Sequence, residues 1–251
     1  MISTRQISNT ESLKINEVHI WSTYLLENPK DLDLQYSYLS TDEKERAEKF
    51  YFARDKIKFI QGRCLLRSII AGYTGISVND VQFKYNEYGK PKLKNNIIGL
   101  SFNVSHSHEL LVLAFTRHNE VGIDIELTKE DDVSWLINAN IFTNSEINLF
   151  KDLVNSNTRE IFYKLWSGKE AYLKALGIGL SIPLNSVEIA FTEDKKIKLV
   201  NNRHTSYEPY YLIDLQHIPE QYIGTLALLE QPNHIKYFNK HKCKEIYICG
   251  C

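Results

Sequence analysis

Between Glu120 and Glu126 the chain reads EVGIDIE, with Val121, Ile123 and Ile125 alternating against Gly122, Asp124 and Glu126. That period of two predicts a half-buried strand whose two carboxylates leave one face together. About forty residues on, WSGKEAYLK sets Trp166, Glu170 and Lys174 four residues apart, the repeat of a single helix face. Other segments follow the same two periods. His19–Leu25 alternates as a first strand, closed by Asn28 and Pro29, whereas Asp31–Tyr38 has no clear period. Ser40 with Glu43 three residues on makes a capping box and predicts a helix to about Phe52. The stripe Ile57, Ile60, Cys64 or Leu65, Ile69 and Ala71 predicts a second helix over Arg54–Tyr73, ended by Gly72 and Gly75. Asn79–Tyr85 alternates as a strand before a turn at Glu87–Pro91. Leu100–Val104 and Glu109–Phe115 read as strands, with Ser105–His108 as their connection.

The second half repeats this plan. Thr143 and Glu146 form another capping box, Arg159–Leu176 reads as a long helix, and Val187–Phe191, Ile197–Val200, Tyr210–Asp214 and Thr225–Leu229 read as strands. At an offset of 106, Gly62 falls on Gly168, Asn79 on Asn185 and Val81 on Val187. A duplication is suggested. The expected fold is α+β, with two similar subdomains, each a small antiparallel sheet packed with helices, around a shared cleft. Their boundary falls near Arg117–Glu120, giving residues 1–118 and 119–251. With no low-complexity linker between them, a rigid joint is expected, and a phosphate-bearing ligand would lie across it.

Composition narrows the class. The 251 residues suffice for a sizeable core, and a net charge of −1 argues against a nucleic-acid binder that relies on bulk electrostatics. No apolar run approaches membrane-spanning length and the N-terminus lacks a signal-peptide pattern, so no membrane role and a cytoplasmic location are expected. Cys64, Cys243, Cys249 and Cys251 are too few for a disulfide framework. With His241, the last three match structural zinc spacing poorly, and an untethered tail is the simpler reading.

Candidate chemistry centres on the acids. If strand and helix pack together, Asp124, Glu126 and Glu170 converge. Three close carboxylates are most simply balanced by a divalent cation, and an all-oxygen donor set favours magnesium, with manganese as the alternative. Phosphate chemistry follows. Taken alone, the D-x-E and E-x-x-x-K patterns equally describe a wet strand edge and a surface helical pair. A magnesium-dependent nuclease would use similar groups, but no basic strip with interleaved aromatics is present for a nucleic acid.

Longer blocks decide between these readings. VGIDIE followed by FYKLWSGKEAYLKALGIGL, with LSTDEKERAEKF, FIQGRCLLRSII, YGKPKL and FNVSHS upstream in that order, resembles the Sfp-type 4'-phosphopantetheinyl transferases over roughly Leu39–Leu184. The resemblance implies a pseudo-twofold fold and transfer of 4'-phosphopantetheine from coenzyme A to a serine of an acyl or peptidyl carrier protein, releasing adenosine 3',5'-bisphosphate. It implies Asp124, Glu126 and Glu170 as magnesium ligands, and Glu170 and Lys174 as catalytic groups. Lys44, Arg46, Lys90, Ser105, His106 and Lys174 become coenzyme A contacts. Glu43 stands where the family's best-known member has a lysine, and Lys44 and Arg46 also fit a solvated helix face. Trp166 is expected to pack behind the metal helix, and Arg63 and Arg67 to brace the two halves. The length resembles the broad-specificity branch tied to nonribosomal peptide and polyketide synthesis, so a monomer is expected.

Overall fold

The computed structural model describes residues 12–128, 140–151, 158–179, 181–202 and 210–239; the C-terminal Cys and His residues considered for zinc lie outside the described residues. Strand β1 (Glu17–Tyr24) is followed by helices α1 (Leu32–Ser37), α2 (Thr41–Glu48) and α3 (Ala53–Thr74), then β2 (Phe83–Tyr85), β3 (Pro91–Leu93), β4 (Leu100–Ser107) and β5 (Leu110–Arg117). The chain continues through β6 (Val121–Leu127), α4 (Asn144–Lys151), α5 (Thr158–Leu176), β7 (Val187–Phe191), β8 (Ile197–Asn202), β9 (Tyr211–Asp214), β10 (Tyr222–Leu228) and β11 (His234–Asn239).

Local signals set most of these limits. Glu43 Oε2 accepts from the Ser40 amide (3.1 Å), completing the cap of α2. That helix stops at Glu48, short of the expected Phe52, because Phe52 is extended (φ −94°, ψ 129°) and α3 begins directly after it. Gly75 ends α3 in the left-handed conformation (φ 74°), where glycine carries no Cβ penalty. The unassigned Asp31–Tyr38 stretch contains α1, and the strand expected from Asn79 is a 3-10 turn over Val78–Asp80 followed by β2.

Four layers result. One face of the sheet ordered β11-β1-β5-β4 packs on α3 through Trp21, Leu111, Leu113 and Phe115. The opposite face, with Val18, Ile20, Leu110, Val112 and Ala114, meets Val121, Ile123, Ile125, Leu226 and Leu228 of the sheet ordered β6-β10-β9. Helix α5 covers the far side of that second sheet. The hydrophobic half of the EVGIDIE alternation is therefore buried between sheets, which turns Asp124 and Glu126 toward α5.

The two halves share an element order and strand pairing, β1-β5-β4 with β2-β3 in one and β6-β10-β9 with β7-β8 in the other. They also share a buried strut. Arg67 donates to Glu43 (2.6 Å) and to the carbonyls of Val78 (3.1 Å) and Val81 (2.8 Å). Lys169 reaches Glu146 (2.7 Å) and the carbonyls of Leu184 (3.0 Å) and Val187 (2.6 Å). In each half the carboxylate is the third residue of a capping box, and the carbonyls stand 106 residues apart, the offset read from sequence.

One strand breaks the tidy division. β11, which the sequence pattern did not show, leaves the second half and pairs parallel with β1, from Glu17 opposite His234 to Ser22 opposite Asn239. Phe238 stacks on Trp21 with centroids 4.4 Å apart, anchoring the returning strand in the first half's core.

Candidate active site

Gly122 explains why strand β6 and helix α5 can carry one site. A Cβ there would stand 2.0 Å from the Ala171 carbonyl oxygen and 2.4 Å from the Ala175 amide nitrogen, so the backbones meet without an intervening side chain. Asp124 and Glu126, on the same strand face, are thereby brought against Glu170 and Lys174. Burial and neighbouring acids raise pKa values here. Glu170 is pushed up first by burial and then by Asp124 and Glu126, and Glu126 by burial and then Asp124. Burial also raises Asp124, against the pull of Lys174.

The expected convergence is thus electrostatic, and its counter-charge is internal. Lys174 Nζ lies 2.6 Å from Asp124 Oδ1 and 3.0 Å from Ser105 Oγ. Trp166 Nε1 donates to Glu126 Oε1 (3.0 Å) while its ring stacks on Phe162, so this tryptophan, expected only as packing, also touches an acid. Among the described residues, no three acids, His or Cys already stand as a ready-made metal cage. The groups nevertheless suit a hard cation: the donors are all oxygens, Asp124 Oδ2 is buried without a partner, and Glu170 has no hydrogen bond or ion pair among the described residues.

β4 borders the acids from the other half. Its SHS segment, expected as a connection, lies within the strand, because the chain turns only at His108 (φ 54°). Alternation then separates the three residues. Asn103 Oδ1 and the hydroxyls of Ser105 and Ser107 accept the amides of Ile123 (2.9 Å), Ile125 (3.3 Å) and Leu127 (3.1 Å), a ladder of side chains joining the halves. Ser105 also donates to Asp124 (3.0 Å) and Ser107 to Glu126 (3.2 Å). The Ser105 hydroxyl is therefore engaged within the protein.

His106 faces a cavity of about 650 Å³ shared with Arg46, Lys58, Phe59, Arg63 and Pro91. Burial, then Lys174 and Lys58, lower its pKa by disfavouring the charged ring, and Asp124 is near enough to oppose them. Arg46, expected as a coenzyme A contact, lines the cavity. Lys44 does not; its ammonium hangs over the Tyr36 ring and reaches the Ser37 carbonyl (3.5 Å). Lys90 is drawn elsewhere, onto Ala175 O (2.7 Å), Val121 O (3.2 Å) and Glu120 (3.2 Å).

Lys58 and Arg63 also line this cavity, a place the sequence had not assigned to either. Arg63 was expected to brace the halves, but its ion-pair partner is Glu43 (3.8 Å) in its own half, and its guanidinium lies among Phe59, Phe83 and Tyr85. Among the described residues Arg67 likewise bonds within its own half. Phe59 and Arg63, four residues apart on one face of α3, were the available signal.

Comparison with known proteins gives a consistent picture. Residues 120–227 match the family model of the 4'-phosphopantetheinyl transferase superfamily, and residues 27–118 match that of the 4'-phosphopantetheinyl transferase N-terminal region. The chain is 36% identical over 190 residues to the 4'-phosphopantetheinyl transferase HetI of Nostoc sp., covering 75% of this chain and 80% of that one. It is 32% identical over 179 residues to Sfp of Bacillus subtilis, covering 70% and 76%. To the human L-aminoadipate-semialdehyde dehydrogenase-phosphopantetheinyl transferase it is 32% identical over 160 residues, covering 60% and 52%.

Proposed function

This chain belongs to the Sfp-type 4'-phosphopantetheinyl transferases, and from that premise we propose that it moves the 4'-phosphopantetheine arm of coenzyme A, with magnesium, onto a serine of an acyl or peptidyl carrier protein. The observation that carries the reading is the set Asp124, Glu126 and Glu170, with Lys174 among them, near enough to act on His106 of a basic and aromatic cavity.

In this reading the serine oxygen attacks the phosphorus that bears the pantetheine arm, and the bond from that phosphorus to the departing adenosine 3',5'-bisphosphate breaks. Glu170, without an ion-pair partner among the described residues and raised in pKa, takes the serine proton; a base is strongest in this role when its pKa approaches working pH. Lys174 neutralises charge on the leaving diphosphate oxygen. Arg46, Arg63 and the His106 ring face the cavity and hold the 3'-phosphate end. A magnesium ion, for which Asp124, Glu126 and Glu170 are the oxygen donors, would supply Lewis-acid polarisation of the diphosphate when bound.

We further propose that the repeated struts and matched strand orders reflect a pseudo-twofold pair, residues 1–118 and 119–251, with β11 exchanged back into the first. The reading includes a cytoplasmic monomer serving carriers of nonribosomal peptide or polyketide synthesis. Among the described residues no helix is long and apolar enough to cross a membrane.

The test is intact-mass measurement of a purified carrier protein incubated with coenzyme A, magnesium and this chain. The carrier should gain one phosphopantetheine arm, with the rate falling about a hundredfold in Glu170→Gln. An unmodified carrier, or an unaltered rate in the variant, overturns the reading.

A further inference from the structure

We propose that Lys90 and Asn86, on the turn between β2 and β3, form a clamp that sets helix α5 against strand β6 and so positions Glu170 and Lys174 opposite Asp124 and Glu126. The proposal rests on the transferase reading for its kinetic consequence but not for its geometry. The turn belongs to the first half, whereas all four site groups belong to the second.

The last carbonyls of a helix have no partner within it, and a cation is favoured at that end. Lys90 meets both needs. Its Nζ, on a side chain only 8% exposed, donates to the carbonyl of Ala175 (2.7 Å), the residue after Lys174. The same ammonium donates to the Val121 carbonyl (3.2 Å) and to Glu120 (3.2 Å), where β6 begins. One nitrogen therefore ties the end of the helix bearing Glu170 and Lys174 to the start of the strand bearing Asp124 and Glu126.

Asn86 supplies the second jaw. Its Nδ2 donates to the Gly177 carbonyl (2.6 Å), while its Oδ1 accepts the amides of Tyr88 (3.1 Å) and Lys90 (2.8 Å) and holds the turn's shape. Gly177 accommodates this contact. It sits at φ +73°, and a Cβ there would come within 2.7 Å of Lys90 Cδ. With three acceptors around it, Lys90 acts as a positioning residue and leaves the diphosphate to Lys174.

The test compares Lys90→Met, Lys90→Arg and Asn86→Ala in the full chain, with two readouts. The first is the kcat and KM split for coenzyme A in carrier modification. The second is the indole N–H resonance of Trp166, which reports its bond from α5 to Glu126 on β6, against that of Trp21, bonded to Tyr73 within the first half. Lys90→Met should lower kcat about tenfold or more, with KM for coenzyme A within about twofold. It should also shift the Trp166 resonance and leave Trp21 in place. Lys90→Arg should recover most of both, since a guanidinium can donate to the same carbonyls, and Asn86→Ala should move both readouts the same way by less, which serves if Lys90→Met fails to fold. A raised KM with unchanged kcat, or a Trp166 resonance unmoved in both Lys90→Met and Asn86→Ala, overturns the clamp. If the wild-type chain modifies no carrier, the transferase reading fails, and the indole resonances alone still decide the clamp.

Discussion

Gly122 shows at the scale of one residue how sequence and site are connected. Its place in the alternation was legible, but the reason for glycine was not, because the atoms a side chain would strike belong to Ala171 and Ala175, about fifty positions away. Gly122→Ala should cost about 1–3 kcal/mol in urea unfolding through overpacking and should reduce transfer by prising α5 from β6. Ser105 and Lys90 were singled out from the sequence as coenzyme A contacts, but their bonds across the joint were not legible for the same physical cause: a motif shows one partner and hides the other. His106 yields a pH prediction. Its folded pKa lies below the ordinary value of 6.5 because burial, Lys174 and Lys58 disfavour the charged ring. The stability tied to its neutral form is complete above pH 6.5 and is lost as pH falls through the folded value. An NMR titration of the imidazole should give a midpoint below 6.5.

At the scale of elements, capping boxes were read correctly as helix starts, yet their glutamates have a second task. Glu43 and Glu146 are each 1% exposed and face the buried cations Arg67 and Lys169. Removing one partner of such a pair leaves an uncompensated buried charge. Glu43→Ala and Glu146→Ala should each lower unfolding stability by about 3–5 kcal/mol, measured by urea denaturation, with each half responding to its own strut. The SHS segment was misread as a loop because its serines suggest local turn bonding. Within β4 they bond to β6 instead, a choice that depends on tertiary packing.

For the whole molecule, the α+β class and most elements followed from periodicity, while β11 did not, since only its pairing with β1 makes it a strand. Four packed layers also bury Cys64 completely, and burial pushes its thiol up to about 12. Alkylation of Cys64 at pH 8, followed by peptide mass mapping, should therefore proceed only through opening of the fold, and coenzyme A with magnesium should slow it. The central claim is that Asp124, Glu126 and Glu170 act as one cation and diphosphate site beside Lys174. Calorimetric titration of coenzyme A, with and without magnesium, tests it most directly. Wild-type protein should bind about tenfold or more tightly with the metal, a gain of about 1.4 kcal/mol, and Asp124→Asn and Glu170→Gln should abolish that gain. Equal magnesium dependence in all three proteins would contradict the account.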